Sequence, residues 1–156
     1  MLNVVLINPE IPQNTGNIAR SVIAHKGKLH LIKPLGFSID DKNLKRAGLD
    51  YWKFVDFKIW DDTEIFFDKI DMEKVHFFST KGKTRYDKAE YRDGDYLVFG
   101  SESTGLSPDL LFSYPERTRY LPMSNLKVRS INLSSAVSVA FFEALRQLDF
   151  FCYGDC

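Results

Sequence analysis

Three polar segments of this 156-residue chain, two of them bearing glycines, each open or close a short apolar run. They are Asn14-Thr15-Gly16-Asn17-Ile18-Ala19-Arg20, Phe99-Gly100-Ser101-Glu102-Ser103-Thr104-Gly105-Leu106, and Leu121-Pro122-Met123 together with Arg129-Ser130-Ile131-Asn132-Leu133-Ser134. Apolar runs of this length bounded by turn residues read as strands buried on both faces, and strands of that kind belong to a mostly parallel sheet covered by helices. In such α/β folds ligands gather in the loops beyond the carboxyl ends of the strands. All three segments fall at or after strand ends, so the function is expected there.

The remaining pattern agrees. Val4 to Ile7 reads as a strand, followed by a loop with Pro9 and Pro12 and then a helix that Asn14 or Thr15 can cap, with Ile18, Val22 and Ile23 as its apolar stripe. Lys28 to Ile32 is a second strand. A short helix is predicted over Asp41 to Ala47, stopping at Gly48, then a strand over Phe54 to Ile59 and a helix over Thr63 to Ile70. Val75 to Ser79, Tyr96 to Phe99 and Arg117 to Leu121 read as strands, and Pro108 can start a helical turn. The final helix is the clearest: Leu133, Ala136, Val137, Ala140, Phe141, Ala144, Leu145 and Leu148 recur at helical spacing. Nothing repeats and nothing resembles a linker, so residues 1–156 are expected to form one domain.

Lys plus Arg and Asp plus Glu are equal at 21 each, which excludes the global positive field that would announce a nucleic-acid binder. Such a partner has to be held by a local patch. Candidates are Lys26 with Lys28, Lys42 with Lys45 and Arg46, the segment Lys81 to Arg85, and Arg117, Arg119, Lys127 and Arg129, although solvated surface charge is the default reading of each. The first residues contain no basic leader and too short an apolar stretch for a membrane span, so a cytoplasmic protein is expected. Cys152 and Cys156 lie in an aromatic tail without a second pair or clustered histidines, so no metal site is predicted.

Several familiar motifs fail. Gly82-Lys83-Thr84 ends like a phosphate-binding loop, but Phe77 stands where its first glycine is needed. Ser103 lacks the glycine two residues earlier that a nucleophile elbow requires, and the dinucleotide-binding glycine pattern is absent after the first strand. His25, His30 and His76 have no ligand spacing, and His30 within a strand reads as structural.

The three segments carry more chemistry. Arg20, in the first turns of a helix beside a strand-end cleft, can pair with a phosphate or an oxyanion; alternatively it is a solvated surface arginine. Gly100 permits close backbone approach, and Glu102 can contact a ligand or cap a neighbouring helix. Ser130 or Asn132 can cap the last helix. Phe78 at a strand end reads as core packing.

In order and in company, these segments resemble the motif set of the SPOUT RNA methyltransferases, and most closely the small tRNA wobble 2′-O-methyltransferases, over nearly the whole chain. The resemblance implies a C-terminal trefoil knot, which periodicity could never suggest. It implies S-adenosylmethionine as cofactor, with Phe78, Gly100, Glu102, Leu121, Met123, Ser130 and Leu133 around it. Arg20 and Asn132 are then the catalytic residues, and Asn14, Asn17 and Arg129 the substrate-binding ones. Thr104 stands where the family commonly has Arg, so no RNA contact is carried over at that position. The implied partners are tRNA and a second copy of the chain, the dimer forming through helices that include the last one, with Phe141, Phe142, Phe150 and Phe151 as candidate surface. The implied reaction methylates the ribose 2′-hydroxyl of the anticodon wobble nucleotide in leucine tRNAs. Methylation at another tRNA or rRNA position, an RNA-binding module without catalysis, and a flavodoxin-like nucleotide-binding protein are the rival readings.

Overall fold

The structure is a computed structural model that describes residues 1–40, 42, 46, 49–125 and 127–149. The predicted helix over Asp41 to Ala47, together with Gly48, Phe150, Phe151, Cys152 and Cys156, lies outside or largely outside these residues. Seven strands form one sheet: β1 (Asn3–Ile7), β2 (Lys28–Ile32), β3 (Phe57–Trp60), β4 (Val75–Phe78), β5 (Thr84–Arg85), β6 (Tyr96–Phe99) and β7 (Thr118–Tyr120). Their order is β3-β2-β1-β6-β4-β7-β5, and every pairing is parallel. A wholly parallel sheet must be buried on both faces, and the strand sequences comply. Val4 and Leu6 point into one core with Leu29 and Leu31, while Val5 and Ile7 point into the other with Ile32 and Val98.

Helices α1 (Pro12–Ala24) and α4 (Leu133–Gln147) cover the first face, where Ile18, Val22, Val137 and Phe141 are fully buried. The short helices α2 (Thr63–Phe67) and α3 (Pro108–Ser113) cover the second, with Phe66 at its centre. Among the described residues no helix is long and apolar enough to cross a membrane.

Local chemistry explains where the structure departs from the sequence pattern. Helix α1 starts at Pro12, with Ile11 as its N-cap, rather than being capped by Asn14 or Thr15. Proline lacks only an N–H that a first turn leaves unpaired in any case, and its fixed φ favours helix entry. Thr15 is fully buried and its Oγ1 has no hydrogen-bond partner, so it caps nothing. The strand expected over Phe54 to Ile59 begins only at Phe57, because Leu49–Phe54 forms a 3-10 helix. The helix expected to reach Ile70 ends at Phe67, and the strand expected from Arg117 to Leu121 shortens to β7. Strand β5 has too few residues to leave a periodic signal; its pairing with β7 creates it.

Strand β7 lies between β4 and β5, so the loop joining those two crosses over it. Ser79 N–H donates to the Arg119 carbonyl at 2.9 Å, and Lys83 N–H donates to Thr118 Oγ1 at 2.9 Å. A Cβ on Gly82 would lie 2.3 Å from the Arg119 carbonyl carbon, so only glycine lets the two backbones meet.

Two buried histidines tie strands together. His30 accepts from Trp60 Nε1 through Nδ1 at 3.0 Å, which leaves Nε2–H to donate to Asn3 Oδ1 at 3.1 Å. Burial, aided by Lys28, pulls its pKa down to about 4. His76 accepts from Arg119 Nε through Nδ1 at 3.1 Å, so Nε2–H donates to Asp95 Oδ2 at 2.9 Å. Burial pulls the Arg119 guanidinium down from its usual range. Both histidines are therefore structural, as expected of His30.

Candidate active site

Four adjacent parallel strands, β1, β6, β4 and β7, end at the same edge of the sheet. The loops that follow them enclose a cleft of about 790 Å³, a size suited to a small-molecule ligand. The lining includes Ile11 and Asn14 after β1, Phe78 to Lys81 after β4, Phe99 to Leu106 after β6, and Leu121, Met123 and Arg129 to Leu133 after β7. All seven residues that the sequence assigned to the cofactor line this one cleft, as do Asn14, Arg129 and Asn132. Asn17 and Arg20 do not. They lie on the exposed face of α1, and the Arg20 guanidinium stands 5.6 Å from the centre of the Tyr51 ring.

A hydrogen-bonded chain holds the cleft wall. The Glu102 carboxylate accepts from the Glu10 N–H at 2.8 Å, the Ile11 N–H at 3.1 Å and Asn14 Nδ2 at 3.1 Å. Asn14 Oδ1 in turn accepts from Asn132 Nδ2 at 3.0 Å. Asn132 Oδ1 caps α4 by accepting from the Ser134 and Ser135 N–H groups at 2.9 and 3.3 Å. The amide orientations are those that this network demands. Glu102 thus places a negative charge at the N-terminal end of α1, where the helix dipole favours it. Its expected alternatives of ligand contact and helix partner are compatible, since it lines the cleft while serving α1. Asn14 is buried and bridges two signatures, so the capping alternative for it does not hold. Of the two candidate caps for α4, Asn132 takes the role and Ser130 does not.

Glu10, which sequence reasoning missed, completes the arrangement. Its carboxylate accepts from the Ser103 N–H at 3.1 Å and from Ser103 Oγ at 2.6 Å, while its own N–H is held by Glu102. The loops after β1 and β6 therefore clasp each other reciprocally. No local pattern could have revealed this, because the partners are 93 residues apart.

Gly100 and Gly105 shape the loop after β6. Gly105 has a positive φ of 68°, and Ser101 bridges back to it in antiparallel fashion. A Cβ on Gly100 would lie 2.0 Å from the Gly105 carbonyl carbon, so the turn closes only with glycine at position 100. At the cleft floor Phe78 and Phe99, paired in register on β4 and β6, stack at 4.6 Å between centroids. Phe78 is also core, so packing and lining coincide in it. The cleft combines an aromatic floor with the N-terminus of α4, which suits a flat heteroaromatic ligand with a polar tail. Among the described residues no three or more His, Cys, Asp or Glu side chains converge as metal ligands do.

The model of the SpoU rRNA Methylase family matches residues 1–142. The chain belongs to the SpoU methylase family. Two curated relatives are a tRNA (cytidine(34)-2′-O)-methyltransferase of Escherichia coli, 44% identical over 151 residues, and one of Yersinia pestis, 45% identical over 155, each alignment covering 96% of both chains. A solved structure concerned with 2-OH methylation of C/U34 on tRNA superposes with a TM-score of 0.90 at 47% identity, over 96% of this chain and 97% of that one. The SpoU methyltransferase AviRb of Streptomyces viridochromogenes, in complex with AdoMet, superposes with a TM-score of 0.84 at 20% identity, over 96% of this chain and 58% of that one; it shares the fold.

Proposed function

We propose that this SpoU methylase transfers a methyl group from S-adenosylmethionine to the ribose 2′-hydroxyl of the wobble nucleotide in a leucine tRNA anticodon, releasing S-adenosylhomocysteine. The observation that carries the reading is the convergence of all three sequence signatures on one cleft, in a chain 44% identical to the tRNA (cytidine(34)-2′-O)-methyltransferase of E. coli. The cleft fits the cofactor: Phe78, Leu121 and Leu133 supply apolar wall, Gly100 brings backbone groups close, and Glu102, Ser130 and Met123 complete the lining.

When bound, the cofactor supplies a sulfonium methyl group, already activated for displacement by an oxygen nucleophile. The protein has two remaining tasks, alignment and assistance to proton loss. Alignment of reacting groups can lower a barrier by roughly 7 to 11 kcal/mol. The network from Glu102 through Asn14 to Asn132 fixes α1 and α4 against the cofactor loop, so residues on those helices share one rigid frame. Arg20 holds a substrate phosphate and stabilises charge developing on the 2′ oxygen. A guanidinium stays protonated, so its role is electrostatic. Asn132 faces the reaction centre from the cleft, while Asn17 and Arg129 contact the RNA. With the cofactor bound, its methyl group would pass to the 2′ oxygen as the hydroxyl proton is lost, leaving S-adenosylhomocysteine.

The chain works in the cytoplasm as one SPOUT domain and a homodimer. Helices α1 and α4 pack together and leave Val139 and Phe142 exposed, with His25 set edge-on to Phe142 at 4.9 Å. That apolar face supports the dimer. Phe141, expected as possible surface, is fully buried and belongs to the core. The crossing of the 79–83 loop over β7 supports a C-terminal trefoil knot. The deciding experiment is methyl transfer from labelled S-adenosylmethionine to tRNA lacking the modification, with nucleoside mapping of the product. A label at any other position would overturn the assignment.

A further inference from the structure

The 3-10 helix Leu49–Phe54 has two faces of opposite character. In a 3-10 helix side chains three apart eclipse one another. Trp52 and Val55 form the inward pair: Val55 is buried, and Trp52 packs on the core with its ring 5.2 Å from Phe57. Tyr51 and Phe54 form the outward pair, 47% and 64% exposed. Each carries a cation over its ring, Arg20 at 5.6 Å from Tyr51 and Lys53 at 5.0 Å from Phe54. An anchored turn thus holds two large rings and two cations at the surface.

We propose that Tyr51 and Phe54 are a stacking platform for unpaired nucleotides of the substrate RNA next to the methylated one, with Arg20 and Lys53 facing the phosphates. The inference rests on the RNA methylation reading and names a part of the substrate site outside the cleft. Every base offers a π face, so aromatic rings bind single-stranded RNA with little demand on sequence, and interleaved cations match its backbone charge. An anticodon loop presents such unpaired bases. The contact between Arg20 and Tyr51 puts the platform beside the residue assigned to the reacting ribose. A chain with 21 acidic and 21 basic side chains needs a local feature of this kind to hold RNA.

The test is binding of a fluorescently labelled, unmodified leucine tRNA transcript, followed by anisotropy in the presence of S-adenosylhomocysteine. Stacking losses on alanine substitution correspond to about 5- to 150-fold per base. Tyr51→Ala and Phe54→Ala are each expected to weaken binding about tenfold, whereas Tyr51→Phe and Phe54→Tyr stay within twofold of wild type. Phe112→Ala, which removes an 88% exposed ring elsewhere, serves as the control and leaves binding unchanged. S-adenosylmethionine affinity and melting temperature verify that each variant is folded. Undiminished RNA binding by the alanine variants, with the wild type binding and methylating normally, would overturn the platform alone. Loss of dimer in sedimentation would also overturn it, by assigning the patch to a second copy. A wild-type protein that neither binds nor methylates the transcript would overturn the functional reading itself.

Discussion

Replacing Glu102 by Gln tests whether its carboxylate is what joins the loop after β1 to the loop after β6. Its two oxygens accept from three donors, Oε2 from Glu10 and Oε1 from Ile11 and Asn14. A glutamine can present its oxygen at only one of these positions, and its amide then faces an N–H at the other. The better orientation keeps the Ile11 and Asn14 bonds and loses the one to Glu10. Hydrogen bonds to a charged partner contribute roughly 1.5 to 3 kcal/mol and neutral ones about 1 kcal/mol. One bond lost and two stripped of charge sum to about 4 kcal/mol before solvent is considered. Glu102 is half-buried, and water replaces part of what is lost, so about 2 kcal/mol is expected for Glu102→Gln and about 3 kcal/mol for Glu102→Ala. At roughly 2 to 4 °C per kcal/mol for a chain of this size, melting temperatures should fall by about 4 to 8 °C and about 6 to 12 °C. Differential scanning calorimetry gives the stability, and isothermal titration with S-adenosylmethionine gives the affinity, which should fall in the same order. Wild-type melting and affinity in Glu102→Gln would refute the reasoning, since the geometry leaves no way to satisfy all three donors without a carboxylate.

Gly100→Ala should weaken S-adenosylmethionine binding at least tenfold by calorimetric titration, because its Cβ would fall 2.0 Å from the Gly105 backbone and reopen the loop; unchanged affinity would show that the loop adapts freely. Arg20→Ala should abolish methyl transfer yet leave S-adenosylmethionine affinity within a few-fold, since Arg20 is not part of the cleft lining; collapse of cofactor binding would make it a cofactor or folding residue. Stability should also fall with acid through His30. Its pKa is pulled down to about 4 in the fold against 6.5 unfolded, so the contribution is complete above about pH 6.5, declines as pH drops and is lost by about pH 4. The total is about 3 kcal/mol, readable as a falling urea midpoint across that window, and His30→Gln should flatten this part of the profile. Val139→Asp, on the exposed apolar face of α4, should yield a monomer in sedimentation with the fold intact by circular dichroism.

The apolar runs by themselves determined the parallel α/β class, because a strand buried on both faces and followed by a helical stripe has few other solutions. The residues of the cleft were legible through the family resemblance, whereas local preference alone placed Gly100 at a turn and Ser130 or Asn132 at a helix start and left Glu102 open between ligand and helix. The N-cap of α1 falls at Ile11, three residues before Asn14, because Asn14 suits a cap in isolation, whereas its amide is taken up by Glu102 and Asn132 from distant segments. Phe54 to Asp56 read as the start of a strand because Phe and Val favour strands locally, whereas the 3-10 helix Leu49–Phe54 runs through Phe54 and the packing of Trp52 and Val55 on the core delays the strand to Phe57. Only the tertiary structure could set Glu10 against Ser103, bring β5 into being beside β7, and place Tyr51 under Arg20. Those contacts join residues far apart in the chain, and local preference carries no information about which distant segment will supply the partner.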